Sequence, residues 1–133
     1  MLWKISIVTT VLGVAAAAFA SQGGSGPAQS PFYCNLKALT PAERDDHQAL
    51  TRRVMGAIRS AREIADGYTF EVDAATASIV DLATWTDFER RCCPFFDFLL
   101  DQRRENGPLS LRLTGREGVK EFIKAEFPQV IRD

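Results

Sequence analysis

The sequence predicts an α+β domain of two layers, with helices packed on a mainly antiparallel sheet. Short segments such as residues 68–72 and 109–113 alternate apolar and polar side chains, which is typical of strands with one buried face. Longer segments between the strands repeat apolar residues at helical spacing. Strands mixed with three such helices imply a helical layer on a sheet. We predict the element order β-α-β-α-β-β-α.

The first helix has the clearest start signal in the chain. Thr40 and Glu43 have the spacing of a capping box, and Pro41 suits the first helical position. Apolar residues then recur at helical spacing as far as Gly67, which ends the helix. We place the first strand before this helix, at residues 32–36.

The second half of the domain is predicted to hold a helix, a hairpin and a last helix. Pro94 disfavours helical geometry at Cys93, so the second helix ends there. Residues 95–101 and 109–113 have strand patterns and flank a turn-forming Asn-Gly-Pro sequence, which predicts the hairpin. An apolar stripe after residue 117 predicts the third helix.

The N-terminus has the pattern of a signal peptide at residues 1–20. Lys4 precedes an apolar run, and Ala18 and Ala20 fit the small-x-small pattern of a signal peptidase site. The run is shorter than the roughly 20 residues that span a bilayer as a helix. We expect cleavage before Ser21 and a periplasmic or secreted protein that does not remain in the membrane. An uncleaved anchor is the alternative.

The rest of the chain has the composition of one soluble domain. Residues 21–30 are rich in Gly, Ser, Gln and Pro and are predicted to be a flexible linker. Residues 31–133 then form a single α+β domain of ordinary size. Sixteen basic and seventeen acidic residues give a net charge of −1, so nothing in the composition favours nucleic acid as a partner.

The chain has three cysteines, Cys34, Cys92 and Cys93. An odd number in an exported protein leaves a free thiol or an intermolecular bridge. One interpretation is a disulfide from Cys34 to Cys92 or Cys93, in a non-catalytic structural or interaction domain. The other is a three-thiolate site, because Pro94 pushes Cys93 out of helical geometry and lets its side chain turn toward Cys34.

Three sulfurs suit a soft metal ion, with Cu(I), Hg(II) and Zn(II) as candidates, or another small thiol-reactive species. A structural zinc site usually has four ligands and would need Glu89 or His47 as well. Glu89 lies three and four residues before the paired cysteines, on their side of the helix. It is a candidate ligand, a proton acceptor, an ion-pair partner of Arg53 or Arg90, or a hydrogen-bond partner of a backbone amide. His47 lies on the apolar side of the first helix, where packing is the alternative to ligation.

No catalytic motif accompanies the cysteines. The C-x-x-C spacing of disulfide oxidoreductases is absent from the sequence, and the C-terminus of a helix raises the pKa of a thiol rather than activating it. The sequence also has no Gly-rich phosphate loop and no G-x-S-x-G elbow. The pattern favours a binding protein over an enzyme.

The residues around the cysteines also carry a family resemblance. The stretch Glu89-Arg-Arg-Cys92-Cys93-Pro94-Phe95, with Cys34-Asn-Leu36 and Leu111-Arg-Leu113, resembles a group of small bacterial proteins that have an E-x-x-C-C-P-F signature. Some members are associated with mercury-type or other metal-responsive gene neighbourhoods, so the resemblance implies metal handling. Members of the group lack an export signal, and the leader of this chain departs from that pattern.

Overall fold

A computed structural model describes residues 28–131 of the chain. The predicted signal peptide at residues 1–20 and most of the predicted linker lie outside this range. Three helices and a four-stranded antiparallel sheet form the described part, which confirms the predicted fold class. The elements are a 3-10 turn at Leu36–Ala38, α1 at Pro41–Ala57, β1 at Ile58–Ile64, β2 at Gly67–Val72, α2 at Ile79–Cys92, β3 at Asp97–Gln102, β4 at Leu109–Thr114 and α3 at Val119–Glu126.

The sheet has the strand order β1-β2-β4-β3 with every neighbouring pair antiparallel. Its two central strands align Tyr68 with Leu113 and Phe70 with Leu111, and all four side chains are buried on one face. The predicted hairpin of the second half is confirmed as β3 and β4. Within residues 28–131, no helix combines the length and the apolar character that crossing a membrane would require.

The first strand lies after the first helix and not before it. The prediction of a strand at residues 32–36 is wrong, because this segment is irregular and leads into the 3-10 turn. The predicted first helix is also too long, since it ends at Ala57 and the chain continues directly as β1. An irregularity in the β1 register between Ile58 and Ser60 explains the misleading pattern. It lets Ile58 and Ala61, three residues apart, both pack against the core, so a bulged strand imitates helical spacing.

Local capping places the two helices that carry the site. The predicted capping box of α1 is present, with the Thr40 side chain accepting from the Glu43 amide. A second capping box, formed by Ser78 and Asp81, starts α2. As predicted from Pro94, α2 ends just before it: Cys92 is the last helical residue.

Candidate functional site

The disulfide of the protein joins Cys34 to Cys93, and not to Cys92. The Cα atoms of the bridged residues are 5.0 Å apart across 59 positions of the sequence. Cys34 reaches α2 because the Asn35 amide donates a hydrogen bond of 2.8 Å to the Cys92 carbonyl. The last carbonyls of a helix lack partners within the helix, so this bond caps α2. The same bond holds Cys34 close to Cys93.

Cys92 remains a free thiol at the end of α2. It is fully buried, and its Sγ lies 4.0 Å from Cys93 Sγ. Burial, followed by the negative charge of Glu89, raises the pKa of the Cys92 thiol to about 12, although the nearby Arg91 opposes the change. The thiol is therefore protonated at neutral pH and is a poor nucleophile, in agreement with the expectation from its place at a helix C-terminus.

Glu89 pairs with His47 across the interface of α1 and α2. The Nε2 atom of His47 lies 2.6 Å from Oε1 of Glu89, and the glutamate side chain is only 4% exposed. The alternative of an ion pair with Arg53 or Arg90 is wrong, since both arginines pair with other carboxylates. Packing was the alternative role predicted for His47, yet the structure brings its ring into the cluster.

Two further side chains hold the histidine in place. The hydroxyl of Thr51 donates to the backbone carbonyl of His47 at 2.8 Å and accepts a hydrogen bond of 3.0 Å from Nε1 of Trp85. The same hydroxyl lies 3.5 Å from Nε2 of His47. Thr51 was not predicted from the sequence, although its position one helical turn after His47 is a signal that it shares the histidine's face.

All five predicted site residues converge at one place in the fold. One set of ligand atoms comes from Cys34, Glu89 and Cys93, the other from His47, Glu89 and Cys92, and within each set they lie within 4.8 Å of one another. Glu89 belongs to both sets and so links the sulfurs to the histidine. The arrangement has the chemical composition of a metal site, with sulfur, nitrogen and oxygen donors gathered in a buried place.

The second carboxylate oxygen of Glu89 is the unsatisfied atom of the site. Oε2 is buried and has no hydrogen-bond partner among the described residues. A buried polar atom without a partner costs roughly 1–3 kcal/mol, and more when it carries charge. Such an atom is suited to bind a proton or a cation.

Two grooves lead from the surface to this cluster. A groove of about 160 Å³ is lined by Cys92 together with Tyr33 and Arg91. A wider one of about 440 Å³ is lined by His47 and Thr51 on the exposed side of α1. A small ion or reagent therefore has a route to the partly exposed histidine through the wider groove, whereas reaching the fully buried Cys92 sulfur from the narrower groove requires local movement.

Comparison with known proteins adds no relative: neither a protein-family model, nor a curated protein, nor a solved structure matches the chain. The resemblance to the E-x-x-C-C-P-F group therefore stays a prediction, and the functional argument depends on the site itself.

Proposed function

We propose that the protein is a small exported metal-binding protein that holds one soft ion through Cys34, Cys92 and Cys93. The convergence of all three sulfurs beside Glu89 is the observation that supports this proposal. Soft thiolates select ions such as Cu(I) and Hg(II), and no other cysteine of the chain competes for them. The E-x-x-C-C-P-F resemblance supports metal handling. The predicted leader at residues 1–20 supports export.

Ligation by three sulfurs requires the Cys34–Cys93 bridge to be reduced first. A dithiol reductant supplies two electrons and two protons, becomes a disulfide itself, and leaves Cys34 and Cys93 as thiols. A soft ion, Cu(I) or Hg(II), then displaces one proton from each of the three thiols and forms three metal–sulfur bonds. Binding by all three sulfurs is therefore possible only while the disulfide is reduced.

One of the three sulfur spacings already matches that of a three-coordinate ion, whereas Cys34 and Cys93 are bonded to each other and have to separate after reduction. Metal–sulfur bonds of about 2.3 Å at trigonal angles place neighbouring sulfurs about 4.0 Å apart. The Sγ atoms of Cys92 and Cys93 are separated by 4.0 Å. Arg91 lies beside Cys92 and favours its thiolate form, which partly offsets the negative charge of the thiolates.

The test is a titration of the reduced protein with Cu(I) or Hg(II). A phosphine reduces the bridge, taking an oxygen from water as it is oxidised, and is removed without air before the metal is added, because phosphines themselves bind soft ions. We expect one ion per protein and a higher unfolding temperature, since the ion binds only the folded state. Cys34→Ser, Cys92→Ser and Cys93→Ser should weaken binding to a similar extent. Unchanged stoichiometry and affinity in Cys34→Ser would show that the sulfurs do not act together.

The Cys34–Cys93 bridge itself favours a second candidate function. It links the N-terminal segment to the end of α2, which is the role of a stabilising disulfide in a structural or interaction domain. In that case the bridge stays oxidised throughout the life of the protein. Alkylation before and after reduction, measured by intact mass, distinguishes the two functions. One modified thiol in unreduced protein from the cell favours the structural disulfide, and three modified thiols exclude it.

A further inference from the structure

We propose that His47, Glu89 and Cys92 form a second ligand set, which holds a borderline divalent ion such as Zn²⁺ while the Cys34–Cys93 disulfide is intact. This site goes beyond the three-sulfur site because it uses a single sulfur and the opposite redox state of the bridge. The two proposals can therefore fail independently.

The ligand atoms of this set, which we call the triad, already lie near one another. A ring nitrogen of His47, a Glu89 oxygen and the Cys92 sulfur are all within 4.8 Å of each other, and His47 Nε2 and Glu89 Oε1 are 2.6 Å apart. Tetrahedral zinc with bonds of about 2.0–2.3 Å keeps its ligand atoms roughly 3.3–3.8 Å apart. Side-chain movements on the order of 1 Å would thus seat the ion between α1 and α2.

The unpartnered oxygen of Glu89 is a second observation, independent of the ligand spacing, that points to cation binding at this place. The residue is 3% exposed, and Oε2 has no partner among residues 28–131. The other oxygen of the same carboxylate, Oε1, has His47 Nε2 as its partner, so the two oxygens of Glu89 differ. A cation bound to the carboxylate would remove the desolvation penalty of the remaining oxygen.

Charge also favours this ligand set for a divalent ion. One Cys92 thiolate, one Glu89 carboxylate and one neutral imidazole balance the two positive charges of the ion. A neutral assembly is far less costly to bury than a charged one. The metal itself removes the proton from a coordinating thiol, so a protonated Cys92 in the free protein is compatible with binding.

The donor set distinguishes this ion from the soft ions of the three-sulfur site. Imidazole and carboxylate with a single thiolate suit zinc and its neighbours rather than Cu(I), which prefers sulfur. Three protein ligands leave a fourth tetrahedral position for water or an exogenous ligand. The groove lined by His47, whose side chain is partly exposed, supplies access to this position.

Cobalt(II) in place of zinc provides the test. The protein is purified without reductant, its disulfide is verified by intact mass, and Co²⁺ is added. We expect one equivalent to bind, with a thiolate-to-cobalt charge-transfer absorption that Zn²⁺ abolishes. Cys92→Ser should lose this absorption while keeping the bridge.

Matched variants separate ligation from general charge effects. His47→Gln and Glu89→Gln should each weaken Co²⁺ binding by roughly 100-fold or more, since loss of an outer-sphere partner alone costs about 10- to 100-fold. Asp87→Asn removes an exposed carboxylate from the same helix as Glu89 and should bind as the parent does. Circular dichroism checks the fold of each variant, and Glu89→Gln keeps an oxygen acceptor for His47 if His47→Gln fails to fold.

The outcomes distinguish the two proposals. Absence of cobalt binding by the oxidised protein, or an unchanged absorption in Cys92→Ser, overturns the triad. Binding that appears only after reduction overturns the triad as well and leaves the three-sulfur site standing. Failure of the reduced protein to bind Cu(I) or Hg(II), with normal Co²⁺ binding by the oxidised protein, overturns the three-sulfur site alone.

Discussion

The Nε2 atom of His47 meets Oε1 of Glu89 at 2.6 Å, although 42 residues separate them in the sequence. Their side chains are 12% and 4% exposed, so the contact is almost removed from solvent. It ties α1 to α2 where the cysteines lie. The stability of the helix pair and the geometry of the site therefore depend on the same hydrogen bond.

His47→Ala should destabilise the metal-free, oxidised protein by about 3 kcal/mol at neutral pH, because it leaves a buried carboxylate without its partner. Glu89→Gln should cost less, since the neutral amide still accepts a hydrogen bond. Urea denaturation of both single variants and the double variant measures the coupling. Losses that simply add would mean that the two residues do not interact energetically.

Loss of the Cys34–Cys93 bridge should lower the free energy of unfolding by about 4 kcal/mol, from the loop entropy released in the unfolded chain. Cys34→Ser is the variant, and urea denaturation without reductant is the measurement. Cys92→Ala is the matched control: it keeps the bridge and should cost about 1 kcal/mol, the centre of the range for point substitutions. An equal loss in both variants would contradict a stabilising bridge.

Alkaline pH should destabilise the protein through Cys92. Burial and Glu89 raise the pKa of the folded thiol to about 12, whereas an unfolded thiol titrates near 8.5. Above the unfolded value the unfolded chain binds fewer protons than the folded one, so stability falls as pH rises from about 8.5 toward 12. The expected slope is about 1.4 kcal/mol per pH unit. Cys92→Ala should reduce the slope between pH 8.5 and 10, and an identical profile in the two proteins would contradict this assignment.

Two glycines should respond to alanine in opposite directions. A Cβ on Gly67 would overlap the Leu113 carbonyl oxygen of the neighbouring strand and approach the Thr114 backbone, so Gly67→Ala should cost more than about 2 kcal/mol. Gly56 lies within α1, and the position that an alanine methyl group would take there has no neighbouring atom within 4 Å. Gly56→Ala should therefore stabilise by about 0.5–1 kcal/mol. Thermal unfolding of both variants checks the contrast, and a tolerated Gly67→Ala would contradict the close pairing of β2 with β4.

Export should follow from the leader at residues 1–20. Expressed with its own N-terminus in a Gram-negative host, the protein should appear in the periplasmic fraction with Ser21 as its first residue. Cell fractionation and N-terminal sequencing are the measurements. Recovery of a full-length, membrane-bound form would identify the segment as an anchor instead.

Much of the architecture follows from local sequence pattern. Alternation predicts β2 and the β3–β4 hairpin, the Thr40 capping box starts α1, and Pro94 ends α2 between the paired cysteines. These features depend on residues a few positions apart, whose conformational preferences act within one element. The five candidate site residues could be proposed from their chemistry, and the positions of His47, Glu89 and Cys92 on predicted helices supported three of them.

The tertiary structure alone decided three other features. The bulge in β1 gave a strand the apolar spacing of a helix, and only its pairing with β2 distinguishes the two. The choice of Cys93 over Cys92 as the partner of Cys34 depends on the Asn35 hydrogen bond to the end of α2. The partner of Glu89 depends on the packing of α1 against α2. Each is a contact between distant parts of the chain, so it is set by how the elements pack together and not by the preferences of neighbouring residues.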